Sequence, residues 1–198
     1  QTETEKVFAK KAKEMRAELC YAEDVRYQSD LLGSFQLENA KTAVNAVNKL
    51  QERFIVSSNT IENGLNKVAK NTNFNGRFQL FQDEPKVILD AAHNSDGIRN
   101  LLKEIGQFDY KELHIVYGSS ADKDVKQVFN LFPKKANYYF ATFNSDRSLS
   151  LDDFKLLAYN NQLQAMFLST SSEALKHAKT IASKEDLILV CGSFFILE

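Results

Sequence analysis

The chain has 198 residues, enough for one large domain or one domain plus part of another, and its 43% hydrophobic content suits a packed core rather than disorder. Its 25 basic and 26 acidic side chains leave a formal net charge of −1, which gives no electrostatic case for nucleic acid or an anionic membrane. No apolar run approaches the roughly 20 residues needed to cross a bilayer, and the charged stretch from Gln1 to Arg16 does not read as a signal peptide.

The missing initiator Met leads us to expect a chain that begins inside a longer one. The two cysteines, Cys20 and Cys191, read as reduced thiols of a cytoplasmic protein.

In chain order, the first region is helix-rich. Val7, Ala12, Met15 and Leu19 give a loose helical spacing over Glu3 to Leu19. Tyr27 to Leu32 is a candidate extended piece. Leu37, Ala40, Val44 and Val47 mark an amphipathic helix, and Ile61, Leu65 and Val68 another. Three helices with so little strand make a poor free-standing core, so this region is expected to pack against something absent. Asn71 to Gly76 is a run of turn formers and reads as a connection.

The second region alternates strand and helix. Arg77 to Phe81 and Lys86 to Ala91 suit a hairpin across Asp83-Glu84-Pro85. Strands follow at Leu113 to Tyr117, Tyr138 to Thr142, Leu163 to Leu168 and Leu187 to Cys191. Between them lie helices marked by Ile98 to Ile105, Val125 to Phe132, Asp152 to Tyr159 and Leu175 to Ile181. Asp124 is the expected cap of the second of these, and Ser171 or Ser172 of the last. Runs such as Val-Ile-Leu and Leu-Ile-Leu-Val are continuously apolar, as strands covered on both faces are. The fold class is therefore α/β, with a mostly parallel sheet, helices on both faces and an N-terminal hairpin strand.

Ligands of such sheets bind beyond the carboxyl ends of the strands. Four segments lie there: Asp90 to Ser95, Gly118 to Asp124, Thr142 to Arg147, and Gly192-Ser193. In the first, an acid closes an apolar strand, two small residues follow, and His93 and Asn94 lead into a helix start, which favours phosphate. The same residues also suit a plain role, with Asn94 or Ser95 capping the helix and Asp90 bonding the turn. A metal site on Asp90 and His93 lacks a further ligand at familiar spacing. Gly118 to Asp124 is either a small-residue site loop with a charged trio or a solvated loop with a helix cap. Arg147 by itself reads as a surface residue, and Gly192-Ser193 as a turn.

None of the seven glycines is followed by Lys, so there is no P-loop, and none are spaced as in a dinucleotide fingerprint. His114 and His177 read as structural. No Gly-x-Ser-x-Gly and no Cys-His pair appear.

Together, five blocks resemble the folylpolyglutamate synthase family of the Mur ligase superfamily. They are Leu31 to Ala40, Gly76-Arg77-Phe78-Gln79, Val87 to Asn94, Gly118 to Asp124, and Leu187 to Phe194. The resemblance implies an ATP-dependent ligase that joins glutamate to a folate, with dihydrofolate synthesis as a further activity of some members. The carboxylate takes a phosphoryl group from ATP, and the glutamate amine then displaces phosphate. Its partners would be folate or dihydropteroate and L-glutamate, its cofactors ATP and Mg2+, and its state a monomer.

By the same resemblance, Asn39 would contact the adenine side of ATP and Arg77 the phosphates. Asp90 would accept hydrogen bonds from the nucleotide, His93 would sit near the phosphoryl group or the incoming amino acid, and Ser193 and Lys123 would lie on the glutamate side. Asn75, Ala91 and Ser95 stand where the family usually has Pro, Gly and Pro. Residues 1 to 73 resemble the tail of a central P-loop ATPase domain, whose metal ligands lie elsewhere in that domain, and residues 74 to 198 the Mur ligase C-terminal domain. A cell-wall Mur-type ligase and a non-catalytic binding domain of the same fold are the rival readings.

Overall fold

The computed structural model describes residues 2–51 and 53–197; the chain ends of the predicted regions, Gln1 and Glu198, and also Glu52, lie outside the described residues. The chain forms two compact units, one of residues 1–30 and 35–67 and the other of residues 31–34 and 68–198.

The first unit carries helices α1 (Thr2–Met15), α2 (Phe35–Lys49) and α3 (Ser58–Leu65). α1 stops short of the expected Leu19. Arg16 takes a left-handed φ of 52°, its amide donates to Lys13 O, and the Ala17 amide donates to Ala12 O. That is a Schellman ending made without glycine, so the sequence carries no glycine signal for it. The predicted extended piece at Tyr27 to Leu32 forms no ladder; the Asp30 amide instead donates to Leu65 O at 3.1 Å. Polar ties hold the segment between α1 and α2, with Lys41 2.8 Å from Asp24, Lys49 3.1 Å from Glu18, and Asn45 donating to Glu23 O. Apolar burial is slight: Ala40 and Val44 are buried, whereas Val7, Phe8, Met15 and Ile55 are exposed.

The second unit begins with α4 (Val68–Thr72), so the helix expected to run from Ile61 through Val68 is broken in two, with Asn66 closing α3. There follow β1 (Gln79–Gln82), β2 (Lys86–Asp90), α5 (Ser95–Ile105), β3 (Leu113–Tyr117), α6 (Val125–Leu131), β4 (Asn137–Ala141), α7 (Leu151–Asn160), β5 (Ala165–Leu168), α8 (Ser171–Ile181) and β6 (Leu187–Cys191). A 3-10 turn, Phe194–Ile196, comes last. The sheet order is β1-β2-β6-β3-β4-β5. β1 is antiparallel to β2 and slips register between Leu80 and Gln82; all other neighbours are parallel. The expected mostly parallel sheet with an N-terminal hairpin strand is what forms. Asp124 caps α6 as expected, but Thr170, not a serine, caps α8 by accepting from the Glu173 amide at 3.1 Å.

The chain steps outward from β2 to β3, β4 and β5, then returns through α8 to place β6 between β2 and β3. Right-handed crossovers in opposite directions put α8 on the face opposite α5, α6 and α7. The side chains agree, because strand residues alternate between faces. Val87, Val116, Tyr139, Ala141, Ile188 and Val190 pack with Ala174 and Ala178 of α8. On the other face Tyr117, Phe129, Phe132, Phe140 and Phe154 form one aromatic cluster, with centroid separations between 4.9 and 6.5 Å. Each such buried ring contributes about 1.5–3 kcal/mol, so this unit carries its own core.

At the amino end of the sheet, Asp186 is buried, and its carboxylate accepts the Glu112 amide at 3.0 Å and the Ser183 amide at 2.6 Å. His114 Nε2 lies 3.7 Å from the same carboxylate, and its Nδ1 is 3.1 Å from the Tyr139 hydroxyl, a structural placement for that imidazole. Burial alone would raise the Asp186 carboxyl, but the two amides and His114 outweigh it and hold it below the ordinary carboxylate value. A carboxyl with a lowered folded pKa stabilises at neutral pH and loses that contribution as pH falls through the folded value. Asp186→Asn should therefore lower the unfolding free energy from urea titration at pH 7 by about 1–3 kcal/mol. The gap to wild type should close below about pH 4, and a gap independent of pH would contradict this assignment.

Candidate functional site

β6 lies between β2 and β3 and parallel to both, so the three carboxyl ends lie side by side. Ligands of open α/β sheets bind beyond such ends. Here backbone packs against backbone. Gly192 has φ +119°, and a Cβ on it would lie 2.2 Å from Gly118 O and 2.7 Å from the Tyr117 ring. A Cβ on Gly118 would lie 2.7 Å from Ala141 O. Glycine at 192 lets the ends of β3 and β6 meet, which they do through the Gly118 amide and Cys191 O, and glycine at 118 lets the end of β3 lie against the end of β4. The Cys191 thiol is buried and pushed well up by desolvation and by Asp90, so it is structural and not a nucleophile.

Asp90 closes β2. It is 4% exposed, and its two oxygens accept the Phe78 amide at 2.8 Å and the Ala92 amide at 2.7 Å. A third bond, Ala91 N to Gly76 O at 2.8 Å, completes the tie between the Gly76-Arg77-Phe78 turn and the strand end. Gln79 tightens the same turn by accepting from the Gly76 amide and donating to Asn75. Phe78 takes φ +46° and buries its ring against Phe108. A non-glycine residue there costs about 1–3 kcal/mol, which one buried hydrogen bond to a charged group is large enough to offset. Burial raises the Asp90 carboxyl, the Ala92 and Phe78 amides and the Arg77 charge oppose this, and the net direction is upward.

Arg77 follows from that turn. It is half-buried, its guanidinium carbon sits 5.1 Å from the centroid of the Phe194 ring, and it belongs to none of the ion pairs among the described residues. Its charge acts on Asp90 without a direct ion pair, and among the described residues no carboxylate occupies its N–H edge. On the other side of Asp90, His93 Nδ1 lies 3.0 Å from Ala91 O. A carbonyl only accepts, so Nδ1 carries the proton and Nε2 of the neutral ring is the lone-pair nitrogen. Asn94 then caps α5, its side chain accepting from the Gly97 amide at 2.7 Å, so both parts of the plain reading hold, the cap at Asn94 and the turn bonded by Asp90. Ser193 is buried and caps the 3-10 turn by accepting the Phe195 amide at 3.3 Å.

Lys123 belongs to a second group at the ends of β3 and β4. Its Nζ is 3.5 Å from Asp122, and Arg147 is 3.2 Å from the same carboxylate. Exposed as Asp122 is, Arg147 and Lys123 together outweigh its desolvation and hold its carboxyl below the ordinary value. Backbone bonds join the same two loops, from Ala121 N to Arg147 O and from Leu149 N to Ser119 O. Arg147, read from sequence as a lone surface residue, is a loop staple. Asn39 lies in the helical unit and is exposed, its Nδ2 donating to Gln36 at 2.8 Å.

The structure therefore places Arg77 and His93 on the two segments that Asp90 ties through the Phe78 and Ala92 amides, and adds Ser193 through Phe194; Lys123 sits in a neighbouring loop cluster. Among the described residues no group of three His, Cys, Asp or Glu side chains is placed to hold a metal ion. A groove of about 460 Å³ between β5 and α8, lined by Phe167, Glu173, Lys176 and His177, contains none of the predicted site residues.

Residues 76–194 match the Mur ligase, glutamate ligase domain. The chain belongs to the Mur ligase family. Among its relatives, a probable bifunctional folylpolyglutamate synthase/dihydropteroate synthase of Haloferax volcanii is 32% identical over 179 residues, 89% of this chain and 20% of that protein. A dihydrofolate synthase/folylpolyglutamate synthase of Buchnera aphidicola is 32% identical over 159 residues, covering 79% and 36%. A UDP-N-acetylmuramoyl-L-alanyl-D-glutamate–2,6-diaminopimelate ligase of Oceanobacillus iheyensis is 27% identical over 178 residues, covering 85% and 35%.

Of solved structures, E. coli FolC in complex with DHPP and ADP superposes with a TM-score of 0.66 at 26% identity, over 80% of this chain and 36% of that one. The Yersinia pestis folylpolyglutamate synthase/dihydrofolate synthase complexed with AMPPNP and Mn gives 0.77 at 23%, over 97% and 48%, and shows the shared fold. This Mur ligase chain thus spans less than half the length of the relatives it matches.

The Gly192 contact yields a direct test. Gly192→Ala should lower the unfolding free energy by about 1–3 kcal/mol, read as a lower urea midpoint, from backbone strain and the clash with Gly118 O. An unchanged midpoint would show that the two strand ends are not in contact.

Proposed function

We propose that this chain is the carboxyl-terminal part of an ATP-dependent ligase that adds glutamate to folate through an acyl phosphate, working as a cytoplasmic monomer. The observation that carries the reading is Arg77, a guanidinium on the Asp90-tied turn that forms no ion pair among the described residues, with His93, whose Nε2 lone pair is free of the backbone, on the other side of Asp90. Two further facts support it: the family match, and relatives named as folylpolyglutamate synthases.

In this reading residues 1–73 are the tail of a P-loop ATPase domain and residues 74–198 the glutamate ligase domain. The exposed apolar side chains of the helical unit suit an element that packs on further protein. ATP supplies the phosphoryl group, and a divalent cation would take its ligands from outside this chain. Arg77 meets the phosphates, where its planar fork matches paired oxygens. His93 stands at the phosphoryl group or the attacking amine, able to take a proton at Nε2. Asp90 holds both residues in place, and its nucleotide contact uses the lone pairs left after the two amide bonds. Asn39 lies toward adenine, and Ser193 and Lys123 toward glutamate.

The diaminopimelate ligase relative favours a second reading, a cell-wall Mur-type ligase with the same chemistry on a nucleotide-linked muramyl acid. Assaying the longer enzyme with folates and with such muramyl acids separates the two.

In that longer enzyme Arg77→Ala should cut folate- and glutamate-dependent phosphate release by about 10²-fold or more with an unchanged unfolding midpoint. The 198-residue chain alone should release none. A normal rate in the variant would remove Arg77 from the site, and turnover by the chain alone would overturn the division of labour.

A further inference from the structure

We infer that Phe194 is a positioning residue for Arg77: its ring is a shelf that holds the guanidinium toward a polyphosphate without neutralising it. The inference rests on the ligase reading above and names the means by which one of its groups is oriented.

Both partners are fixed at the backbone. Arg77 sits between the Gly76–Ala91 bond and the Phe78–Asp90 bond. Phe194 opens a 3-10 turn whose cap is Ser193 and whose third residue, Ile196, is buried in the core of the α8 face. The ring itself is 46% exposed, a large apolar side chain left at the mouth of a central strand. Its neighbour Phe195 is different: that ring stacks on Phe143 at 5.2 Å and 19°. Phe194 joins no ring pair among the described residues, and the contact it makes is with the Arg77 guanidinium, 5.1 Å from its centroid.

Chemistry separates this arrangement from the usual way of holding an arginine. A carboxylate partner takes up two N–H groups and cancels the charge. An aromatic face attracts the cation through its quadrupole and occupies the flat face of the guanidinium. The N–H groups at its edge stay free to meet paired anionic oxygens. An arginine so held has already lost part of its rotamer freedom, so less is lost when the ligand binds. Phe194 also lies next to Ser193, so the same turn would link the phosphate side of the site to the glutamate side.

The test uses Phe194→Leu, which keeps apolar bulk but removes the ring face, and Phe194→Trp, which restores one. In the 198-residue chain, the Arg77 side-chain proton resonances should carry an upfield ring-current shift that Phe194→Leu abolishes and Phe194→Trp restores. In the longer ligase, Phe194→Leu should raise the KM for ATP about three- to tenfold, leave the KM for folate unchanged, and be rescued by Phe194→Trp. Equal KM for ATP in wild type and Phe194→Leu would overturn the inference. So would a Phe194→Leu defect that Phe194→Trp does not rescue, or one matched by an equal fall in unfolding midpoint. A wild-type ligase with no ATP-dependent ligation would instead overturn the functional reading on which the inference rests.

Discussion

One buried carboxylate organises the carboxyl end of this sheet. Asp90 accepts two backbone amides from opposite directions, Phe78 before the hairpin and Ala92 after the strand. Without it the Phe78 backbone has no evident reason to keep a left-handed φ, and the Gly76-Arg77 turn loses one of its ties to β2. Arg77 and His93 flank the tied segment, so one side chain fixes the origin of both. An acid at the end of an apolar strand is costly to bury. Its raised pKa shows that the cost is only partly met by the bonds it makes. Titratable groups whose pKa is shifted by burial and a charged neighbour cluster at functional sites.

The sheet order determines where that rigidity is placed. Because β6 enters last, between β2 and β3, the segment after it crosses the end of the sheet where the β2 and β3 loops begin. The glycines at 118 and 192 bring backbone against backbone there, and the 3-10 turn that follows delivers Ser193 and Phe194 beside Arg77. The aromatic cluster under one face and the α8 packing under the other give these loops a firm base. At the opposite end of the sheet, Asp186 performs a similar tie between two backbone amides, with its pKa moved the other way. That comparison separates the two aspartates: the amides win at Asp186, and desolvation wins at Asp90.

Much of this was legible in the sequence because it rests on local patterns. Continuous apolar runs located β3 and β6 to the residue, and Asn94 and Asp124 took the capping places their residue types favour. The errors share a cause. The end of α1 at Met15 depends on a left-handed arginine, and the bonding of the segment before α2 on contacts with α3, neither of which leaves a periodic trace. Among the site residues, Asp90 and His93 follow from strand-end logic and Arg77 from family resemblance, but the bonds that tie the Arg77 turn to the strand end, Phe78 to Asp90 and Ala91 to Gly76, span twelve and fifteen positions and leave no local pattern in the chain. Phe78 and Phe194 were quoted only as parts of motifs. Their roles come from a positive φ and a ring face, properties of conformation and not of residue type.

Hydrogen exchange in Asp90→Ala tests the central claim most directly. If Asp90 is the tie, the Phe78 and Ala92 amides lose their protection together, while the amides of Ile115 in β3 and Phe140 in β4 keep theirs. Wild-type protection at Phe78 and Ala92 in that variant would show that the turn holds itself and that Asp90 does not organise the site.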